Sequence, residues 1–190
     1  RRDGSSRFKN EKWGSFGSIG ASWVVSKESF MDKIESINYL KFKTSYGLLG
    51  DQEGVGLWPG YDTFDVGNLN DDYSISIRDN GNANLTWEKS RIFQVGVEST
   101  LFDFLDINVD YYVKNTFDLI FQRRTAPSTG IAIITVNDGE LINQGIEFDI
   151  NAHILKGKTA DDFTLDFAIN GEFLKNEITK MPIDPATGLP

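Results

Sequence analysis

The sequence predicts an all-β chain, about six strands of an antiparallel transmembrane β-barrel, and three observations predict it. Apolar and polar side chains alternate over six separate segments. Successive residues of a strand point to opposite faces, so this alternation marks a sheet with one apolar and one polar face. No apolar run approaches the ~18–20 residues that a spanning helix needs, whereas a membrane strand crosses in ~9–11 residues with only every second side chain apolar. The connections between the segments alternate between short and long, which is how a membrane barrel separates its tight turns from its outer loops.

The first segment, 13–25, sets Trp13, Ser15, Gly17, Ile19, Ala21, Trp23 and Val25 against Ser18, Gly20 and Ser22. At ~3.3 Å per residue and a tilt of ~40°, the stretch from Trp13 to Trp23 covers ~25 Å along the membrane normal, which would put the two rings at the two interfaces. "SKESFMDKIESINYL" is the one helix candidate, with Ser26 as N-cap and Phe30, Ile34 and Ile37 on one side. Segment 40–48 alternates Leu40, Phe42, Tyr46 and Leu48 with Lys41, Lys43, Ser45 and Gly47, and 91–98 sets Phe93, Val95 and Val97 against Gln94, Gly96 and Glu98. In "LDINVDYYV" Leu105, Ile107, Val109, Tyr111 and Val113 oppose Asp106, Asn108 and Asp110, and Tyr111 is a further candidate interface aromatic. Segments 145–154 and 163–173 complete the set, with Ile146, Phe148, Ile150, Ala152 and Ile154, then Phe163, Leu165, Phe167, Ile169 and Phe173, on their apolar faces. The joins near 26–39, 100–104 and 156–161 are compact, and those near 49–84 and 117–144 are long. A soluble β-sandwich with one solvated face, such as a carbohydrate-binding module of a surface protein, would show the same alternation.

Composition narrows the function. Nineteen Lys and Arg against 28 Asp and Glu leave a net charge of -9, which argues against nucleic acid as a partner because phosphate neutralisation needs a basic surface. There is no Cys and a single His, so thiolate chemistry and Cys-ligated zinc are excluded. Gly54 and Gly56 begin a dinucleotide-like fingerprint, but Pro59 holds the third glycine position and no strand-turn-helix surrounds it. His153 falls on the polar face beside Asn151, and the pairs Asp71 with Asp72 and Asp161 with Asp162 lack ligand spacing. These read as solvated groups, so no catalytic, metal or cofactor site is assigned. The acidic connection 49–84 carries Trp58, Tyr61, Phe64 and Tyr73, flat apolar area that either meets a partner protein or polysaccharide or folds the loop on itself.

In order along the chain, "RRDGSSRF", "WGSFGSIGASWVVSKESFM", "LKFKTSYGLLGDQ", "NANLTWEKS", "VDYYVKNTFDLIF", "NDGELINQGIEFDI" and "FLKNEIT" resemble the C-terminal barrel portion of the SusC/RagA family of TonB-linked outer-membrane proteins of Bacteroidota. Ala83 stands where that family commonly has Pro, and Asp51 replaces the Asn of its "GNQ" turn. The resemblance implies a cell outer-membrane barrel of about 22 strands closed by a plug, of which residues 1–190 are part, without the plug and N-terminal regions. It further implies TonB-driven import of oligosaccharides or peptides, with a SusD-like surface lipoprotein as partner and no enzymatic activity; a siderophore importer is the alternative within the barrel class. On that topology "RRDGSSRF" is the tip of an outer hairpin, with Gly4 at positive φ and Arg1, Arg2 and Arg7 level with anionic lipopolysaccharide.

Overall fold

The computed structural model describes residues 1–126, 128, 130–157, 163–183 and 188, so the pair Asp161 and Asp162 lies outside the described residues. Among the described residues, twelve strands form four antiparallel sheets. The largest contains β3 (Gly17–Val24), β4 (Ile37–Asp51), β7 (Glu88–Leu101), β8 (Leu105–Phe117), β11 (Glu140–Leu155) and β12 (Leu165–Lys180), a meander in the spatial order β12-β11-β8-β7-β4-β3. Three two-stranded ribbons stand at one end of it: β1 (Arg2–Gly4) with β2 (Trp13–Ser15), β5 (Thr63–Leu69) with β6 (Asp72–Asp79), and β9 (Ile120–Arg124) with β10 (Ile133–Asn137).

Register turns the predicted alternation into two continuous surfaces. Pairing aligns Trp23, Phe42, Val97, Val109, Phe148 and Gly171 in one row, and Ala21, Thr44, Val95, Tyr111, Ile146 and Phe173 in the next row of the same face. The intervening rows, on the other face, are Val24, Lys41, Glu98, Asn108, Asp149 and Asn170, and Ser22, Lys43, Gly96, Asp110, Glu147 and Glu172. No second sheet covers the apolar rows among the described residues: Phe42, Phe93, Phe167 and Phe173 are all exposed. A soluble sandwich would bury that face against a partner layer, so the sandwich reading fails and the sheet is a wall with an apolar outside and a polar inside. The four long strands from β7 to β12 run 13–16 residues, more than the ~9–11 a crossing needs. Their surplus lies toward the ribbons, where Lys89, Arg91, Lys175, Glu177 and Lys180 replace the apolar residues.

The short-turn end corrects one expectation. Residues 26–40 hold no α-helix; a 3-10 turn at Val25–Lys27 is followed by successive three-residue steps, Met31 N to Glu28 O at 2.8 Å and Ile34 N to Met31 O at 2.9 Å. Helical spacing of Phe30, Ile34 and Ile37 cannot sustain a helix here, because Phe30 and Ile34 find no apolar surface and stay exposed, and a short helix without a packed face is marginal. The β7–β8 turn is tight, with Phe102 and Asp103 at φ 53° and 60°. Asn38 clamps it by accepting from Asp103 N at 2.7 Å.

The first strand is also not continuous. It breaks at Phe16, so Trp13 belongs to the β1–β2 ribbon and Trp23 to the main sheet. Gly4 lies in extended β1 with the Trp13 ring against it, where an added Cβ would meet Cζ3 at 2.8 Å. It is therefore not a left-handed turn residue; the ribbon's tip is the stretch after it, closed by Ser5 N donating to Lys12 O at 2.8 Å.

The buried core is at the loop end, not within the wall. Phe8 and Leu85 are fully buried, Val55 and Trp87 nearly so, and Phe16 and Ile120 pack around them. Rings of Phe8 and Phe16 meet Trp87 at centroid distances of 5.5 and 5.6 Å, the second edge-on at 68°. This knot ties together the first ribbon, the connection after β4, the approach to β7 and the start of β9.

Candidate functional site

Two surfaces carry polar chemistry. On the inner face of the wall, Lys43 Nζ lies 3.1 Å from Glu98 Oε1 and 2.9 Å from Asp110 Oδ2, while Lys41 Nζ reaches Glu98 Oε2 at 3.0 Å. Asp110 is almost wholly buried at 7 % side-chain exposure, which demands such a partner because an unpaired carboxylate out of water is costly. Gly96 makes the arrangement possible: a Cβ there would sit 2.1 Å from Asp110 Oδ1 and 2.6 Å from Lys43 Cε. Gly96→Ala is expected to lower the stability of the refolded full-length protein by ~1–3 kcal/mol through overpacking, read as the midpoint of urea unfolding in vesicles. An unchanged midpoint would mean the ion-pair network moves aside freely.

The same face holds acid in excess toward β11 and β12, around Glu147, Asp149 and Glu172: Tyr112 Oη donates to Glu172 Oε1 at 2.6 Å and Asn151 Nδ2 to Asp149 Oδ1 at 2.5 Å. At the short-turn end His153 is held between Asp166 (Nδ1 to Oδ1, 2.6 Å) and Asp106 (Nε2 to Oδ2, 3.1 Å). It is therefore a paired inner-face group, as its position in the alternation predicts.

The second surface is a cleft of about 550 Å³ among the outer ribbons, a volume typical of ligand sites. Its walls are the connection 54–61, the base of the β5–β6 ribbon and the β9–β10 ribbon. Gly54 and Gly56 sit at φ 79° and 41°; they are turn glycines feeding Val55 into the knot, not a nucleotide loop. Trp58 is half exposed, and Tyr61 meets it edge-on at 6.2 Å and 80°. Their segment is fixed by backbone bonds, Tyr61 N to Trp58 O at 3.1 Å and Asn82 N to Pro59 O at 2.9 Å, and by Asp62 accepting from Gly81 N at 2.9 Å. Gly81 presses directly on Tyr61, leaving 2.2 Å between an added Cβ and the Tyr61 carbonyl carbon.

Charges in the cleft are already matched. Arg78 contacts Asp79 at 3.0 Å and Asp65 at 3.7 Å, and Thr63 Oγ1 donates to Asp79 Oδ2 at 2.7 Å. The Thr63 hydroxyl and then the Arg78 guanidinium hold the Asp79 carboxyl below the usual carboxylate range. The side-chain amides of Asn80 and Gln122, also in the lining, make no hydrogen bond among the described residues.

Of the four loop aromatics, the fold brings Trp58 and Tyr61 into this cleft and leaves the other two outside it. Phe64 and Tyr73 lie on the β5–β6 ribbon, on one apolar face with Val66, Ile75 and Ile77, and Tyr73 is almost fully exposed. The connection 49–84 thus carries a hairpin whose turn is Asn70-Asp71 at φ 51° and 69°; Asn and Asp tolerate that left-handed pair. The arginines of the opening stretch are internally engaged: Arg1 on Asp3 at 2.7 Å, Arg2 over the Trp13 ring at 5.0 Å, and Arg7 Nη1 donating to Gln52 O at 2.9 Å.

The family model described as "TonB dependent receptor-like, beta-barrel" matches residues 1–183. The chain is 36% identical over 203 residues to TonB-dependent receptor P3 of Formosa agariphila, with 99% of this chain and 20% of that protein covered. It is 33% identical to TonB-dependent receptor SusC of Bacteroides thetaiotaomicron, with 95% and 19% covered. Among solved structures it superposes on a chain of the RagAB peptide importer in its "open-open" state at TM-score 0.84 and 28% identity, and in its "closed-closed" state at 0.82 and 27%; these cover 96% and 95% of this chain and 20% of each neighbour. The chain thus spans about a fifth of the length of these relatives.

Proposed function

We propose, from the premise that this chain belongs to the TonB-dependent receptor-like β-barrel family of the outer membrane, that it is the barrel portion of an active importer of oligosaccharides or peptides. The six-stranded wall has one unpaired edge at β3 and another at β12 among the described residues, and bacterial membrane barrels start at ~8 strands, so its place is in a larger closed barrel. Energy comes from TonB acting on a plug outside this chain, and a SusD-like lipoprotein covers the outer mouth. One observation carries the reading above all: an apolar exposed face alternates in register across all six strands with a second face that is small or polar at β3 and charged and hydrogen-bonded from β4 to β12. Such a wall separates lipid from a wet interior. Trp13 and Trp23 serve as interface aromatics, Tyr111, two residues along β8 from Val109, belongs to the apolar band, and lipid and lipopolysaccharide surround the apolar face. The import test follows the depletion of mixed maltooligosaccharides and of a casein digest by cells that carry or lack the gene, with and without TonB. Depletion of at least one of the two is expected to require both the gene and TonB. Depletion that continues without TonB would reduce the protein to a passive pore.

A further inference from the structure

We infer that the outer cleft is a subsite for a neutral, pyranose-based oligosaccharide, with Trp58 as its stacking platform and Asn80 and Gln122 as its hydrogen-bonding groups. The inference rests on the import reading and narrows it from glycans or peptides to one chemistry.

A ligand of this cleft must offer a flat apolar patch, because the half-exposed Trp58 ring is the largest apolar area presented to it. It must also offer several neutral donors and acceptors nearby, because the lining side chains without a hydrogen bond among the described residues include the amides of Asn80 and Gln122, each able to donate two hydrogen bonds and accept two, and the hydroxyls of Tyr61 and Thr135. A pyranose has both features: axial C–H bonds make one face apolar, and a ring of equatorial hydroxyls surrounds it. Ionic ligands fit poorly. Arg78 is engaged by Asp79 and Asp65, and Asp79 also accepts from Thr63, so an anionic chelate or a charged peptide terminus would have to break an existing pair before finding its own.

The platform is also preformed. Bonds from Tyr61 to Trp58, Asn82 to Pro59 and Gly81 to Asp62 fix the segment that carries it, and the edge-on Tyr61 ring holds Trp58 in place. A site ordered before binding loses little entropy on capture. On the facing ribbon Gln122 pairs with Thr135 and shares its face with Ile133, so a ligand stacked on Trp58 is flanked by the Gln122 amide.

The test uses the purified full-length receptor in detergent, without any lipoprotein, in calorimetric titrations. The probes are malto-, cello-, xylo-, laminari- and mannohexaose, a uronic-acid hexasaccharide and a casein digest. At least one neutral hexasaccharide is expected to bind. Trp58→Ala should weaken that binding at least tenfold, Trp58→Phe should restore most of it, and the double variant Asn80→Ala/Gln122→Ala should weaken it severalfold. Each variant is first shown to migrate as a folded, heat-modifiable barrel, which separates loss of the site from loss of the fold. Binding of the uronic-acid probe or the casein digest alone, binding of nothing, or full affinity in folded Trp58→Ala each overturns the inference. Uptake in cells separates it from the import reading. TonB-dependent uptake untouched by Trp58→Ala removes the cleft only, whereas uptake that needs Trp58 but not TonB removes energised import and leaves the cleft.

Discussion

Trp87→Ala is expected to remove ~3–5 kcal/mol from the outer knot, the range for deleting a buried aromatic from a core. Phe8 and Phe16 both rest on this ring at about 5.5 Å, and Leu85 and Val55 complete its surroundings. Beyond these, only Ile120 packs against the cluster among the described residues, so the knot is small. The loss should be local. The wall is held by strand pairing and by its faces, whereas the ribbons depend on the knot and on the polar staples beside it. Those staples are specific: Thr86 N donates to Asn137 Oδ1 at 2.8 Å, Asn137 Nδ2 returns to Thr86 O at 2.9 Å, and Glu88 Oε1 accepts from Ile120 N at 2.7 Å. Hydrogen exchange on the full-length receptor should therefore show faster exchange at residues 52–62 and 82–87 in Trp87→Ala, with strands β7 and β8 still protected. Tyr73→Ala, at a nearly fully exposed position, should change exchange little. Equal protection in wild type and Trp87→Ala would show that the ribbons stand without the knot. Because the segment bearing Trp58 is tied to the same knot through Val55 and Gly60, glycan capture should fall with it.

The wall was legible in the sequence because its information is local: a face changes every residue, so Leu105 to Val113 declares both surfaces without knowledge of any partner strand. The loop end was legible only in part. Residues 64–77 alternate as well, Phe64 and Val66 then Tyr73, Ile75 and Ile77 sharing a face, yet the segment reads as an acidic loop, because its turn is Asn-Asp and not the glycine-bearing pair that announces a hairpin. Trp87, Leu85 and Phe8 carry no periodic signal at all; their burial depends on contacts 30 to 80 positions away in the chain, which single-sequence patterning does not report. One sign was present. The stretches that carry the family resemblance, "RRDGSSRF", "NANLTWEKS" and "NDGELINQG", are the ones that build the knot and its staples, through Phe8, Leu85, Trp87 and Asn137. Helical spacing at Phe30, Ile34 and Ile37 misled for the opposite reason: the period is real, but no surface lies opposite to pack it.

Val109→Arg is the second large expected effect and tests the wall itself. Val109 sits at the middle of the apolar part of β8, between Val97 and Phe148 on its neighbours. An arginine there would place its charge near the bilayer midplane, where barrels lose ~2–4 kcal/mol. Asn108→Arg, one residue away, points to the other face, where it gives up the hydrogen bond from Lys43 Nζ at 3.2 Å but has Glu98 and Asp149 flanking it in register; acid neighbours and water keep the cost of that change small. Depth provides the sharper control. Val113→Arg lies on the same face as Val109 but in the row with Gln144 and Lys175, at the edge of the apolar band, where the cost falls to ~0–1 kcal/mol. The three variants of the full-length receptor, refolded into vesicles and titrated with urea, should therefore order as Val109→Arg far below Val113→Arg and Asn108→Arg. A buried protein layer over this face would penalise positions 109 and 113 alike, because packed protein has no height dependence. Equal losses at the two positions would thus refute lipid as the neighbour of this face, whereas a loss graded with height identifies the solvent outside the wall as hydrocarbon.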